Sequence, residues 1–288
     1  MDNSVFERFP HPTRNLFAKC WGVDLGRDKT TGGDFGRIIT TGGDFGRDKS
    51  TGGDLGYETV SVIAHRGLCD ENAPENSLGA FENAARAGLP IEFDVQMTRE
   101  GRAVIFHDND LTRMTGKVGK VSERALGSLH ALRLGGTEYG IPSLDDVLDV
   151  VDGRVPLLVE IKNGDICDTV VQKMADFNND WAVQSFDPRV VKWFKDNAPN
   201  IKRGQLSGSF AGENLNFATK CALKYMIFNP ITKPDFINYE FDALNCDGFA
   251  ETVVKSSAIE TPLLLWGVDK NNIAEVRKLN PDTIVADL

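Results

Sequence analysis

From residue 57 onward the chain alternates short apolar runs with longer amphipathic stretches, and this alternation limits the fold more than any other feature. Nine runs read as strands: "VSVIAHRG", "IEFDVQM", "AVIFHD", "PLLVEIK", "WAVQSF", "KRGQLS", "DFINYE", "PLLLWGV" and "DTIVADL". Between them, "NSLGAFENAARAG", "SLDDVLDVV", "DTVVQKMADF", "PRVVKWFKDNA" and "NNIAEVRKLN" read as helices. Asn76 or Ser77 can cap the first of these helices, Gly88 can end it, and Ser143 can cap the second. Strands alternating with helices over about 230 residues predict a parallel sheet, and that length suits a closed α/β architecture, the (β/α)8 TIM barrel. Nine candidates for eight places leave one strand off the barrel or misread. An open doubly wound sheet is the alternative, weakened because no strand-to-helix junction carries GxGxxG or a P-loop.

Residues 1–56 have a different character. Positions 22–56 repeat every ten residues as "GVDLGRDKTT", "GGDFGRIITT", "GGDFGRDKST" and "GGDLG", and hold eleven of the 28 glycines. Most units carry one large apolar residue, too little to offset the entropy of ordering the backbone. The reading is a flexible Gly-rich N-terminal extension, with a docking segment that orders on a partner as the sharper alternative. Phe6, Phe9, Phe17 and Trp21 could serve as a short anchor. Charges cancel within this segment, so the whole formal net charge of −10 falls on residues 57–288, the expected catalytic domain.

That acidic balance argues against nucleic acid or an anionic membrane as the main partner. No stretch approaches ~18 consecutive apolar residues, so no membrane span is expected. The start lacks a basic region followed by an apolar one, so no secretory signal is read. Five scattered cysteines without a CxxC suggest free thiols in a reducing, cytoplasmic setting.

Within this frame "IEFDVQM" is costly, because it places two acids in an otherwise apolar strand. Residues i and i+2 of a strand share a face, so Glu92 and Asp94 point together. The same spacing aligns Glu160 with Lys162 in "LLVEIK", while His65 closes "SVIAH" and His107 closes "AVIFH". C-terminal strand ends form the functional face of an α/β barrel, so these residues converge on one mouth. Taken singly, a strand-end histidine is commonly structural and an ExK pair a local ion pair. Together, three carboxylates repel unless a cation joins them, and an all-oxygen set suits Mg2+ or Ca2+ better than Zn2+.

The pieces "AHRG", "PENSLGAFENAARAG", "IEFDVQMTREGRAVIFHDNDLTRMTG", "IPSLDDVL", "VEIK", "QSFDP", "LLLWGVD" and "IVADL" follow one another in an order that resembles the glycerophosphodiester phosphodiesterase family, over nearly all of residues 61–288. The resemblance implies hydrolysis of a glycerophosphodiester, such as glycerophosphocholine, to glycerol 3-phosphate and an alcohol. It implies His65 and His107 as the acid/base pair and Glu92, Asp94 and Glu160 as metal ligands. Arg66 and Lys162 match groups that hold the phosphate, and Trp266 matches an aromatic lining the glycerol site. It also implies attack by the substrate's own glycerol hydroxyl, with direct attack by water as the competing route.

Two features depart from the family pattern. "WGVD" stands where WTVN is common, and the sequence stops at Asp287–Leu288, where relatives run a few residues further. Neither departure is expected to touch the catalytic set. The family's optional insertion falls at residues 110–141, short enough for only a small active-site cover. Alternative functions are a related barrel phosphodiesterase acting on lysophospholipid, sphingomyelin or a polyol-phosphate polymer, and a non-catalytic binding module.

Overall fold

The structure, a computed structural model, describes residues 61–258 and 261–288. The extension expected at residues 1–56, with its repeats at 22–56, lies outside the described residues.

Eight parallel strands form a closed barrel: β1 (Ser61–His65), β2 (Ile91–Met97), β4 (Leu157–Ile161), β5 (Trp181–Ser185), β6 (Lys202–Ser207), β7 (Phe236–Glu240), β8 (Leu263–Val268) and β9 (Thr283–Ala286). Their order is β1-β9-β8-β7-β6-β5-β4-β2, and pairing of Ala64 with Ile91 and of His65 with Glu92 closes the ring. The ninth predicted strand, β3 (Ala103–Ile105), runs antiparallel to β2 outside the ring, with Val95 opposite Ile105 and Met97 opposite Ala103. His107 therefore does not end a barrel strand, as its sequence position suggests. It sits two residues beyond β3, next to Phe106, whose amide donates to the Asp94 carbonyl at 3.0 Å.

Helices cover the ring because their polar ends are satisfied locally. α1 (Leu78–Arg86) starts where the Ser77 hydroxyl accepts from the Ala80 amide, and Gly88 takes the left-handed turn after its last residue. α2 (Leu144–Val151) opens on a capping box between Ser143 and Asp146. α3 (Cys167–Met174) follows β4, and α4 (Pro188–Asn197) begins with an Asp187 cap and a proline that needs no amide partner. α5 (Phe217–Lys224) is capped by Asn216 and α6 (Gly248–Ser257) by Asp247. Each such cap contributes about 1 kcal/mol. "NNIAEVRKLN" forms only a short helix, Ile273–Val276, followed by a 3-10 turn, Arg277–Leu279. No helix among the described residues is long and apolar enough to cross a membrane.

Two apolar layers hold the barrel. Strand residues facing outward, such as Phe93, Val95, Val159 and Val183, pack against the helices. Inside the ring Ile63, Leu158, Ala182, Phe236, Leu264 and Val285 form a separate plug. One step further along the same inward-facing rows the residues turn polar: His65 follows Ile63, Glu160 follows Leu158, Gln184 follows Ala182 and Asn238 follows Phe236. The plug closes the bottom of the barrel, and the polar tier above it is the floor of the mouth.

Gly204 on β6 makes room for the plug. A Cβ built there would stand 2.1 Å from the Phe236 ring. Gly204→Ala is expected to destabilise the fold by about 1–3 kcal/mol through overpacking, and Phe236→Leu in the same chain should recover part of the loss. Denaturant titration of the single and double variants checks this; an unchanged midpoint in Gly204→Ala would refute the packing account.

Candidate active site

Strand register sets the polar tier. Glu92 lies opposite His65 across β1–β2, and Asp94 lies opposite Glu160 across β2–β4. Glu92 and Asp94 are 1% exposed and Glu160 is 5% exposed. One oxygen from each falls within 4.8 Å of the others, so the three can hold a metal ion. Buried hard oxygen donors without Cys or His fit a cation such as Mg2+ or Ca2+.

Two cations of the chain already lean on these acids. Lys162 Nζ stands 2.8 Å from Asp94 Oδ1 and also contacts Glu160. Arg66 Nε stands 3.3 Å from Asp94 Oδ2. The Asn76 amide donates to the same Asp94 oxygen at 2.8 Å. Glu92 receives weaker support: the Arg66 backbone amide and the Gln184 side chain each donate at 3.3 Å. Gln184 is in turn held by Asn238, whose amide donates to it at 2.8 Å.

The electrostatic outcome differs from acid to acid. Burial pushes the Asp94 carboxyl up, but Lys162 and then Arg66 outweigh it and hold Asp94 well below the usual range. Burial and then the Asp94 charge drive Glu92 well above that range. Burial likewise raises Glu160, with Lys162 opposing. Two positive side chains face three carboxylates, and Glu92 is the least compensated.

The histidines are held by separate carboxylates. Asp287 Oδ1 lies 2.7 Å from His65 Nδ1, and Glu92 Oε2 lies 4.0 Å from His65 Nε2. Burial lowers the His65 pKa, but the Asp287 hydrogen bond and the Glu92 charge outweigh it and raise it overall. Asp108 Oδ1 lies 2.6 Å from His107 Nδ1, yet burial and the nearby Lys162 charge lower that imidazole. Beyond Asp108 runs a chain of alternating charge. Arg113 Nε donates to Asp108 at 2.6 Å, Arg113 Nη2 to Glu75 at 2.7 Å, and Arg66 Nη1 to Glu75 at 2.8 Å. The loop of His107 is thereby tied to Arg66.

A cleft of about 1250 Å3 has His107, Asp108, Glu160, Lys162 and Trp266 in its walls. Trp266 is fixed by donating its indole N–H to the Ser207 carbonyl at 2.9 Å and packs edge-to-face on Phe186. His130, by contrast, faces Asp146 at 3.4 Å. Residues 110–141 pack Leu111, Val121, Leu129, Leu134 and Ile141 into an apolar cluster with Phe106. This segment packs beneath the His107 loop through Phe106 and supplies Arg113.

All eight residues singled out in the sequence thus lie at the barrel mouth. Glu75, Asp108, Arg113, Gln184, Asn238 and Asp287 were not read as site residues, and Asn76 was read only as a helix cap. Asp108 directly follows His107, and Glu75–Asn76 lie in "PENS", so a local signal existed for those three. The tie of Arg113 to Glu75 and that of Asp287 to His65 carry none, since these pairs are 38 and 222 residues apart. Asp287, next to the last residue of the sequence, brings a carboxylate against His65.

Comparison with known proteins places this architecture. The sequence model of the Glycerophosphoryl diester phosphodiesterase family matches residues 65–287. A glycerophosphodiester phosphodiesterase of Caldanaerobacter subterraneus is 32% identical over 160 residues, which is 50% of this chain and 65% of that protein. One from Bacillus altitudinis is 35% identical over 108 residues, covering 35% of this chain and 44% of its own length. In sequence, therefore, the aligned part spans less than two thirds of these relatives. The fold extends further. An Oleispira antarctica phosphodiesterase solved with the product sn-glycerol-3-phosphate superposes with a TM-score of 0.65 at 21% identity, covering 78% of this chain and 92% of that one. A Thermotoga maritima glycerophosphodiester phosphodiesterase gives 0.63 at 23% identity, over 80% and 95%. The match over residues 65–287 makes this chain a member of the glycerophosphoryl diester phosphodiesterase family.

Proposed function

We propose that this protein hydrolyses glycerophosphodiesters to glycerol 3-phosphate and an alcohol, using Mg2+ or Ca2+ held by Glu92, Asp94 and Glu160. The observation that carries the reading is the meeting of three buried carboxylates, two histidines and two cations at one barrel mouth. The family membership and the product in the Oleispira antarctica structure support it. Every residue invoked lies within 57–288, which we take as the catalytic domain beside a separate segment at 1–56. Four free cysteines among the described residues fit the reducing, cytoplasmic setting read from the sequence.

A phosphodiester resists attack because its anionic oxygens repel nucleophiles. A bound divalent ion would withdraw part of that charge. Arg66 and Lys162 contribute in the same sense and orient the phosphate at the mouth. His107, whose imidazole is held toward the neutral form, takes the proton of the attacking glycerol hydroxyl. His65, whose protonated form is favoured by Asp287, gives a proton to the leaving alcohol. A cyclic phosphate forms, and water opens it with the histidines in exchanged roles. Trp266 lines the glycerol side.

Asn approximates His in size but cannot titrate, so His65→Asn and His107→Asn should each lower kcat by roughly 10²–10⁴-fold with a much smaller change in KM. The wild-type kcat should follow a bell in pH, with His107→Asn losing the limb set by its base; near-wild-type turnover in either variant would sink the acid/base assignment. His130→Asn is the control and should leave the rate unchanged.

Arg113 acts at one remove, holding Asp108 against His107. Arg113→Met should lower kcat about tenfold or more and shift the acidic limb of the bell, while Arg113→Lys recovers part of the loss. Equal loss in both variants with an unmoved pH profile would make the role merely structural.

The raised Glu92 pKa fixes a sign for stability. The folded chain binds that proton more tightly than the unfolded one, so its contribution is present below the ordinary glutamate range and lost as pH rises through the elevated value. In chelator, the melting temperature should fall from about pH 5 to about pH 9, and Mg2+ or Ca2+ should restore most at the alkaline end, where no proton competes. A metal effect largest at acid pH, or full activity in excess chelator, would overturn the site.

A further inference from the structure

The barrel strands fix Glu92, Asp94, Glu160 and His65 directly, whereas His107 follows β3, which pairs with β2 outside the ring. The turn that carries it, Phe106–His107–Asp108, is tied back to β2 at two points. The Phe106 amide donates to the Asp94 carbonyl at 3.0 Å. Gln96 Nε2 donates to three successive carbonyls, those of Phe106 at 2.7 Å, His107 at 3.1 Å and Asp108 at 2.8 Å. Arg113 holds the same turn from its other side, through the Asp108 carboxylate.

Two features set Gln96 apart from a glutamine that merely closes a turn. A primary amide has two N–H groups and here faces three acceptors, and no other donor meets those carbonyls among the described residues. The direction of three consecutive peptide planes thus hangs on one nitrogen. Gln96 also stands at i+2 from Asp94 and i+4 from Glu92, so it extends the face of β2 that bears two carboxylates of the acidic cluster. It is 4% exposed, so little water competes for its amide. His107 and Asp108 line the cleft, and Gln96 does not.

We infer that Gln96 is a positioning residue for His107: it sets where the imidazole stands relative to the acidic cluster, and so the rate of proton transfer, without touching metal or substrate. The inference rests on the acid/base role proposed above for His107. Without the amide, the three carbonyls turn toward water and their peptide planes rotate. That rotation swings His107 together with Asp108, whose carboxylate stands 2.6 Å from its Nδ1. A displacement of about 1 Å at a reacting group can cost roughly 10²-fold in rate. The acids keep their places, because the pairing of β2 with β4 holds them independently of Gln96.

The test uses the full chain with Gln96→Met, close in shape but without a donor, and Gln96→Asn, which keeps the donor one methylene shorter. With glycerophosphocholine, kcat should fall about tenfold or more in Gln96→Met and less in Gln96→Asn, while KM stays within about threefold. Calorimetry with Mg2+ alone and with Ca2+ alone should return the wild-type affinity. The chain has four histidines, so their imidazole carbon–proton NMR signals can be followed singly, that of His107 being identified by its loss in His107→Asn. The His107 signal should shift or split in Gln96→Met while those of His65 and His130 stay in place. A lowered melting temperature with an unmoved His107 signal and wild-type kcat would make Gln96 structural only and overturn the inference. A fall in metal affinity together with a shift of His65 would place its action on the acidic cluster, and equally overturns it. If Gln96→Met does not fold, Gln96→Asn decides on the same readouts. Absence of wild-type turnover with every diester refutes the proposed function itself, and the His107 signal then decides Gln96 alone.

Discussion

The structure depends on crowding three carboxylates where little water reaches them. Glu92, Asp94 and Glu160 are brought within 4.8 Å by the register of two adjacent strands. Unpaired charges in such a place are costly, so the surrounding residues follow from the need to compensate them. Lys162 and Arg66 answer Asp94, the Asn76 amide and the Arg66 backbone fill remaining lone pairs, and Gln184 and Asn238 extend the polar network across the barrel. What compensation is left incomplete, chiefly at Glu92, is the site's capacity to take a cation.

Some of this arrangement is stored as backbone strain. Arg66 and Asn76 both occupy the left-handed region, with φ of 56° and 57°. Asparagine tolerates that conformation and arginine does so less readily. The geometry at Arg66 aims its backbone amide at Glu92 and its side chain at Asp94, two acids that one extended residue would not serve together. Gly67, which follows at φ 90°, presses so close to α1 that a Cβ would stand 2.8 Å from the Ala80 backbone. The turn after β1 is thus fixed from both sides.

The fold was legible because strand and helix periods differ and because parallel strands buried on both faces read as nearly unbroken apolar runs. All nine strand candidates exist, and the barrel residues Glu92, Asp94 and Glu160 stood out as charges within such runs. β3 was visible as a strand, but its direction was not, since an apolar run carries no sign of parallel or antiparallel pairing. The site was legible where its chemistry is local, as in "HRG" and "FHD". It was illegible where it depends on partners brought together by closure, as with Arg113 and Glu75 or Asp287 and His65. The apolar connection between β6 and β7 was hidden for another reason. Leu215, Phe217, Ile227, Phe228 and Ile231 are spread over turns and two short helices, where the sequence has no period to show which of them face outward.

Closure of the ring by β9 against β1 sets an order of events. Until β9 docks, β1 has one unpaired edge and His65 lacks its hydrogen-bonded carboxylate, because Asp287 follows the last strand. Contacts across 222 residues form late, when loop closure has already been achieved elsewhere. A ribosome-bound chain can place Glu92, Asp94 and Glu160 side by side long before Asp287 leaves the exit tunnel. The acidic cluster can therefore be assembled ahead of Asp287, the last of the site's carboxylates in chain order and the one that holds His65.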